Sequence, residues 1–167
     1  MADPKGFRPQ VGDSFDNWAP DGGKGTLLEW NWVREQMYSA RNYWVLTSPK
    51  TGPPHPTPVW GLFIDDVLYF CTTTSSLKAK HIARTGEATI HLESGDMVVI
   101  LKGEANTEAD PELVEKLGKQ FLHKYKVEVV DQFPDQVMIS FRTHKAIAWQ
   151  AFPESEFMRT MTSFDLT

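Results

Sequence analysis

Between Asn42 and Trp149 the chain repeats one local theme: short runs of β-branched, aromatic and aliphatic residues, each closed by turn chemistry. The runs are Asn42–Ser48 (NYWVLTS), His55–Ile64 (HPTPVWGLFI), Val67–Thr73 (VLYFCTT), Glu87–Glu93 (EATIHLE), Met97–Ala105 (MVVILKGEA) and Gln136–Trp149 (QVMISFRTHKAIAW), the last being one long strand or two short ones. Such runs, bounded by Gly, Pro, Asp and Ser, are strands. Pro49–Pro54, Asp65-Asp66 and Ser94-Gly95-Asp96 supply the reversals, so neighbouring strands run antiparallel. Pro56 and Pro58 have no N–H for a ladder, which puts the second run at a sheet edge or beside a bulge. With only six strands, closure into a barrel is the economical way to remove open edges. The expected fold is therefore mainly β (α+β), a six-stranded antiparallel barrel with two to three flanking helices.

Helical spacing appears in three places. Thr26-Leu27-Leu28-Glu29 reads as a capping box, followed by Leu27, Trp30, Val33 and Met37 at three- and four-residue intervals, so a helix is expected to end near Arg41. Thr74–Arg84 (TSSLKAKHIAR) reads as a short helix capped by Thr74 or Ser75, with Leu77, His81 and Ile82 on one side. Pro111–Tyr125 follows Asp110 as N-cap and turns Leu113, Leu117 and Phe121 inward.

Two end segments lack periodicity. Residues 1–25 hold five of the 11 glycines and three of the 11 prolines, with Phe7, Phe15 and Trp18 scattered among polar residues. They read as an irregular arm lying against the body or a partner subunit. Residues 150–167 read as a C-terminal tail, leaving 26–149 as the folded domain.

Charge and composition exclude several functions. Lys and Arg number 17 against 22 Asp and Glu, a net charge of -5, so the broad positive field needed for nucleic acid is missing. No segment approaches the roughly 20 apolar residues of a membrane span, and Met1–Gln10 has no hydrophobic core of a secretory signal. A cytoplasmic location is expected. Cys71 is the one cysteine, so neither an intrachain disulfide nor a Cys-rich zinc site is available. The five histidines show no metal-ligand spacing, and no metal is expected. His81, on the apolar side of its helix, reads as a half-buried, hydrogen-bonded residue rather than a ligand. Gly22-Gly23-Lys24-Gly25-Thr26 lacks the order of a phosphate loop and has no strand before it.

One local anomaly carries chemistry. Lys78, Lys80 and Arg84 cluster just after Thr72, Thr73, Thr74, Ser75 and Ser76. A hydroxyl-rich strand end that runs into a helix start offers amides, hydroxyls and a positive dipole end, and lysines complete a phosphate cradle. The same pattern also describes a capped surface helix with solvated lysines. A second candidate is Pro58, Val59, Trp60 and Gly61, where a proline-bearing strand leaves backbone groups free, Trp60 supplies a stacking face and Gly61 permits close approach. The alternative there is an edge strand with a core tryptophan.

Taken together, Tyr43–Thr47, Gly52 with His55–Gly61, Leu68–Thr72, Ser76–Ile82 and Gly103-Glu104-Ala105 resemble the pyridoxamine 5'-phosphate oxidase-like split-barrel family, in particular its flavin- and deazaflavin-dependent oxidoreductases. The resemblance spans roughly residues 26–149. It implies a split β-barrel homodimer with a cofactor at each subunit interface. Pro58, Val59, Trp60 and Gly61 would lie along the ring system, and Thr72, Thr73, Thr74, Ser76, Lys78 and Lys80 would hold the phosphate. The cofactor it implies is coenzyme F-420, with FMN as the alternative. Three cations on one helix exceed what a single FMN phosphate needs, and F-420 carries an additional acidic tail. The implied activity is hydride transfer between that cofactor and a small conjugated substrate. Tyr43, Trp44, Trp60 and Trp149 are candidate walls of the substrate pocket, Trp44 alternatively being core. The other readings are a non-catalytic flavin, haem or F-420 carrier, and a pyridoxamine phosphate oxidase proper. The last is disfavoured because the tail does not show the Arg- and Trp-bearing segment such enzymes use on the substrate phosphate. His81 stands where relatives often carry Asn.

Overall fold

The computed structural model describes residues 2–9, 25–130, 132 and 134–166. Phe15, Trp18 and most of the glycine cluster Gly22–Gly25 lie outside the described residues. The elements in chain order are α1 (Trp30–Ser39), β1 (Asn42–Thr47), β2 (His55–Trp60), β3 (Leu62–Ile64), β4 (Val67–Thr73), α2 (Leu77–Thr85), β5 (Glu87–His91), β6 (Met97–Thr107), α3 (Pro111–Tyr125), β7 (Gln136–Gln150), α4 (Phe157–Thr160) and β8 (Thr162–Asp165). All strand pairings are antiparallel. The path across the sheet is β2-β1-β5-β6-β7-β4-β3, with β8 added to β7.

The expected mainly-β fold is therefore present, with eight strands where six were read. Two causes account for the difference. Gly61 interrupts the run His55–Ile64, so β2 pairs with β1 while β3 pairs with β4 at the far end of the sheet path. A Cβ at Gly61 would lie 3.0 Å from both Leu68 Cδ1 and the Tyr69 carbonyl oxygen, a crowding that only glycine avoids. The curled sheet thus closes through one short backbone link. The other added strand, β8, comes from the tail, whose pairing with Lys145–Ala148 of β7 no periodicity announces. Phe7 of the arm bridges to Ser163 of β8 through N···O distances of 2.9 and 2.7 Å.

β2 is an edge strand, as its prolines require. The Asp65-Asp66 reversal has φ of 50° and 63°, the two left-handed residues of a tight hairpin. Arg34 clamps it, with Nε to Asp66 Oδ1 at 2.8 Å and Nη2 to Oδ2 at 2.7 Å. β7 is one continuous strand, pairing with β4 over its first half and β8 over its second.

The capping box at Thr26 does not form. Glu29 is the N-cap of α1, without a side-chain bond, and the preceding segment is extended because Leu28 N donates to Thr162 Oγ1 of β8 at 2.9 Å. The three apolar residues Trp30, Val33 and Met37 nevertheless face the core as their spacing demands. α3 starts on Asp110, which accepts from the amides of Glu112 and Leu113, and buries Leu117, Phe121 and Tyr125.

Candidate functional site

The hydroxyl-rich end of β4 runs directly into α2. The cap is Ser76, not Thr74 or Ser75: its Oγ accepts from Ala79 N at 3.2 Å. Ser76 Oγ also lies 2.9 Å from Thr72 Oγ1. Lys78 Nζ reaches Thr72 Oγ1 at 3.5 Å. Ile82 and Ala79 anchor α2 in the core, while Leu77 is exposed, contrary to the expected apolar side. Lys78 is half-buried, and burial lowers its pKa. Among the described residues its ammonium forms no ion pair. Thr72, Ser76 and Lys78 thus group at one helix start as a cationic, hydroxyl-bearing cluster.

The rest of the expected cradle is disposed differently. Thr73 Oγ1 accepts from Ser75 Oγ at 3.1 Å. Thr74 Oγ1 and Ser75 N donate to the Asp135 carboxylate at 3.4 and 3.3 Å, and the nearby Ser75 side chain first, then these bonds, hold Asp135 below the usual carboxylate range. Thr74 and Ser75 therefore already bind an anion of the chain itself. Lys80 is exposed and lies two residues from Lys78, so the two lysines leave the helix on different sides. Arg84 donates to the Ser48 carbonyl and ties α2 to the end of β1. The three cations do not form one stripe, which removes the charge argument for F-420 over FMN.

Histidines flank this junction. His81 Nδ1 lies 2.9 Å from Thr47 Oγ1, and His55 Nε2 lies 2.9 Å from Thr57 Oγ1. Their rings meet edge-on at 6.0 Å. His81 is half-buried and hydrogen-bonded, as read.

Along β2, side chains alternate. His55, Thr57 and Val59 are half-buried, opposite Thr47, Val45 and Tyr43 of β1. Pro56, Pro58 and Trp60 are exposed. Trp60, at 40% exposure, lays one face on the Tyr125 ring (centroids 4.9 Å apart, 12° between planes) and leaves the other open. Gly61 behind it is buried. Tyr125 and its neighbour Lys124 were missed as site residues, although Leu117, Phe121 and Tyr125 continue one four-residue spacing. Tyr43 is fully buried and donates to the Met37 carbonyl at 2.6 Å, so it is core rather than pocket wall. Trp44 is not core: it is half-buried and parallel to the His91 ring at 6.1 Å. Trp149 packs edge-on against Phe157 of the tail.

Trp44 belongs to a larger surface. Leu46, Val98, Ile100 and Ile147 are likewise half-buried, and the register His91↔Ile100↔Ile147 places them on the sheet face away from the core. A cleft of about 470 Å³ opens between strands, lined in part by Leu46, Lys102, His144 and Lys145. It forms where β6 and β7 slip register at Lys102/Gly103, a bulge that makes His144 the unpaired residue. No three His, Cys, Asp or Glu side chains cluster as metal ligands among the described residues. No helix among them is long and apolar enough to cross a membrane.

The sequence pattern of the family described as pyridoxamine 5'-phosphate oxidase matches residues 33–150, from mid-α1 to the end of β7. The chain belongs to the pyridoxamine 5'-phosphate oxidase family. No curated protein is significantly similar to it. Among solved structures, the conserved hypothetical protein Rv2991 from Mycobacterium tuberculosis is 21% identical, with a TM-score of 0.64 over 76% of this chain and 87% of that one. An F-420 reductase is 18% identical, with a TM-score of 0.54 over 67% and 94%. A heme binding protein from Mycobacterium smegmatis is 15% identical, with a TM-score of 0.62 over 76% of this chain and 53%, about half, of that one. At such identities these likenesses establish the fold alone.

Proposed function

We propose that this protein is an oxidoreductase that binds a phosphorylated flavin-type cofactor, coenzyme F-420 or FMN, and transfers hydride to or from a small conjugated substrate. The observation that carries the reading is Lys78: a half-buried cation without a carboxylate partner among the described residues, beside the Thr72 and Ser76 hydroxyls at a helix start. Water would solvate that ammonium better than this environment does. A phosphate monoester supplies the missing charge and accepts the hydroxyl proton that the Thr72–Ser76 pair does not use internally. The open face of Trp60, with Pro58 beside it on the same strand face and Val59 behind, suits a planar ring.

The bound group supplies the hydride chemistry, at C5 of a deazaflavin or N5 of a flavin. The chain's task is binding and orientation. Lys78, Thr72 and Ser76 anchor the anion. Trp60, braced by Tyr125, fixes a ring plane. Orientation and exclusion of water lower a barrier without any protein acid or base, and no side chain is assigned that role.

A homodimer fits the same reading. The half-buried Trp44, Leu46, Val98, Ile100 and Ile147 form an apolar sheet face that a second copy would cover. The decisive experiment extracts small molecules from freshly purified protein and records absorbance and mass. A flavin or F-420 spectrum supports the proposal, whereas haem, or no binding when FMN and F-420 are added back, overturns it. Mixing the reduced cofactor with enones or quinones in a single turnover then separates enzyme from carrier, since a carrier gives no acceleration.

A further inference from the structure

α3 ends on two adjacent residues that reach the same glycine. Lys124 Nζ donates to the carbonyl oxygens of Gly61 at 3.0 Å and Ala40 at 2.7 Å, with the Tyr43 hydroxyl at 3.3 Å. It also sits 5.1 Å from the Tyr43 ring centroid and 5.3 Å from that of Tyr125. The Tyr125 hydroxyl accepts from Gly61 N at 2.9 Å. Its own proton has two acceptors in range, Arg41 O at 2.7 Å and Gly61 O at 2.8 Å. The Tyr125 ring meanwhile carries Trp60.

We infer that Lys124 is a positioning residue whose ammonium, pinned between the Gly61 and Ala40 carbonyls, helps Tyr125 to fix the backbone that presents Trp60, so that loss of its charge weakens that support and alters the surroundings of the Trp60 ring. The inference deepens the proposed function, where Trp60 is the face offered to the ring, but its test needs no cofactor. A neutral side chain would occupy this space without the desolvation cost of a cation. What the ammonium adds is two charge-assisted bonds, one to the carbonyl of the β2–β3 link at Gly61 and one to that of Ala40 at the end of α1, and contact with two aromatic faces.

The groups around Lys124 are Arg41, just before β1, and Tyr43 within it, Tyr38 from α1, and Tyr125, His123 and Lys119 from its own helix; β3 contributes Leu62, Phe63 and Ile64, none of them titratable. Among the described residues it forms no ion pair. Burial first, and then Arg41, lower its pKa to about 8. Burial raises those of Tyr43 and Tyr125, so they keep their protons over the same interval.

The test is tryptophan emission of the full chain, as purified, titrated from neutral to moderately alkaline pH. Subtracting the Trp60→Phe variant isolates Trp60 from the other five tryptophans. The wild-type difference should show a transition with its midpoint near pH 8. Lys124→Met should abolish it, and Arg41→Ala should move it upward, because the nearby guanidinium that disfavours the ammonium is gone. A wild-type difference without a transition overturns the inference, as does a transition that persists in Lys124→Met. Should Lys124→Met fail to fold, the exposed Arg41→Ala decides, and an unmoved midpoint refutes the assignment. A protein that extracts without cofactor leaves this titration unaffected, so the two proposals fail separately.

Discussion

Replacing Lys78 with alanine separates a cofactor cation from an ordinary surface lysine, because affinity and stability should respond in opposite senses. A charge-assisted bond to phosphate contributes about 1.5–3 kcal/mol, and each ~1.4 kcal/mol is tenfold in Kd. Affinity should therefore fall about 10- to 100-fold. The unliganded fold should not suffer. Burial alone lowers the pKa of Lys78, so the unfolded chain holds that proton more firmly than the folded one. The buried ammonium thus costs stability at neutral pH, and the cost fades as pH rises from the folded-state pKa towards the unfolded value. Removing it should leave the Tm unchanged or slightly higher. Titration calorimetry with FMN and with F-420, at one fixed ionic strength, measures the first effect. Thermal melts of ligand-free protein measure the second. A variant that binds as the wild type does, or that loses affinity only in proportion to lost stability, would refute the assignment.

Three further outcomes follow from the same geometry. Gly103→Ala should destabilise the fold by about 3 kcal/mol or more, seen in urea denaturation, because the new Cβ would lie 1.9 Å from the Arg142 carbonyl oxygen. Trp60→Ala should weaken cofactor binding about tenfold and cost the fold about 1 kcal/mol through the lost Tyr125 stack, measured by the same calorimetry and denaturation. For Lys124, the folded pKa near 8 lies below the unfolded 10.5, so wild-type stability should rise with pH across that window. The full shift corresponds to about 3 kcal/mol, which solvent screening of a half-buried ammonium reduces to about 1 kcal/mol. Denaturation of Lys124→Met across the same window should show that rise missing.

Features whose cause lies within a few residues were legible in the chain. Pro56 and Pro58 lack the N–H that an interior strand needs, so the edge position of β2 was readable. Asp110 before Pro111 caps α3 with its own carboxylate, and Asp65-Asp66 turns the chain within two residues. The order of motifs from Tyr43 to Ile82 was likewise enough to name the family that residues 33–150 match. The cluster of hydroxyls and lysines where β4 meets α2 was legible as a composition anomaly, but not its membership. Lysines at 78 and 80 are neighbours in sequence, yet helical rotation sends Lys80 to solvent, and Asp135, far along the chain, takes the amide and hydroxyl of the Ser75 turn. Tertiary structure alone decided the rest. A bond from Leu28 to Thr162 overrode a capping box, and a crowded Gly61 divided one apparent strand between two ends of a curled sheet. The support behind Trp60 comes from Lys124 and Tyr125, which bond Gly61 from 63 and 64 positions away. Local preference is an energy written in adjacent residues. A buried carbonyl accepts from whichever donor the packing brings within 3 Å, and no spacing in the chain records that meeting.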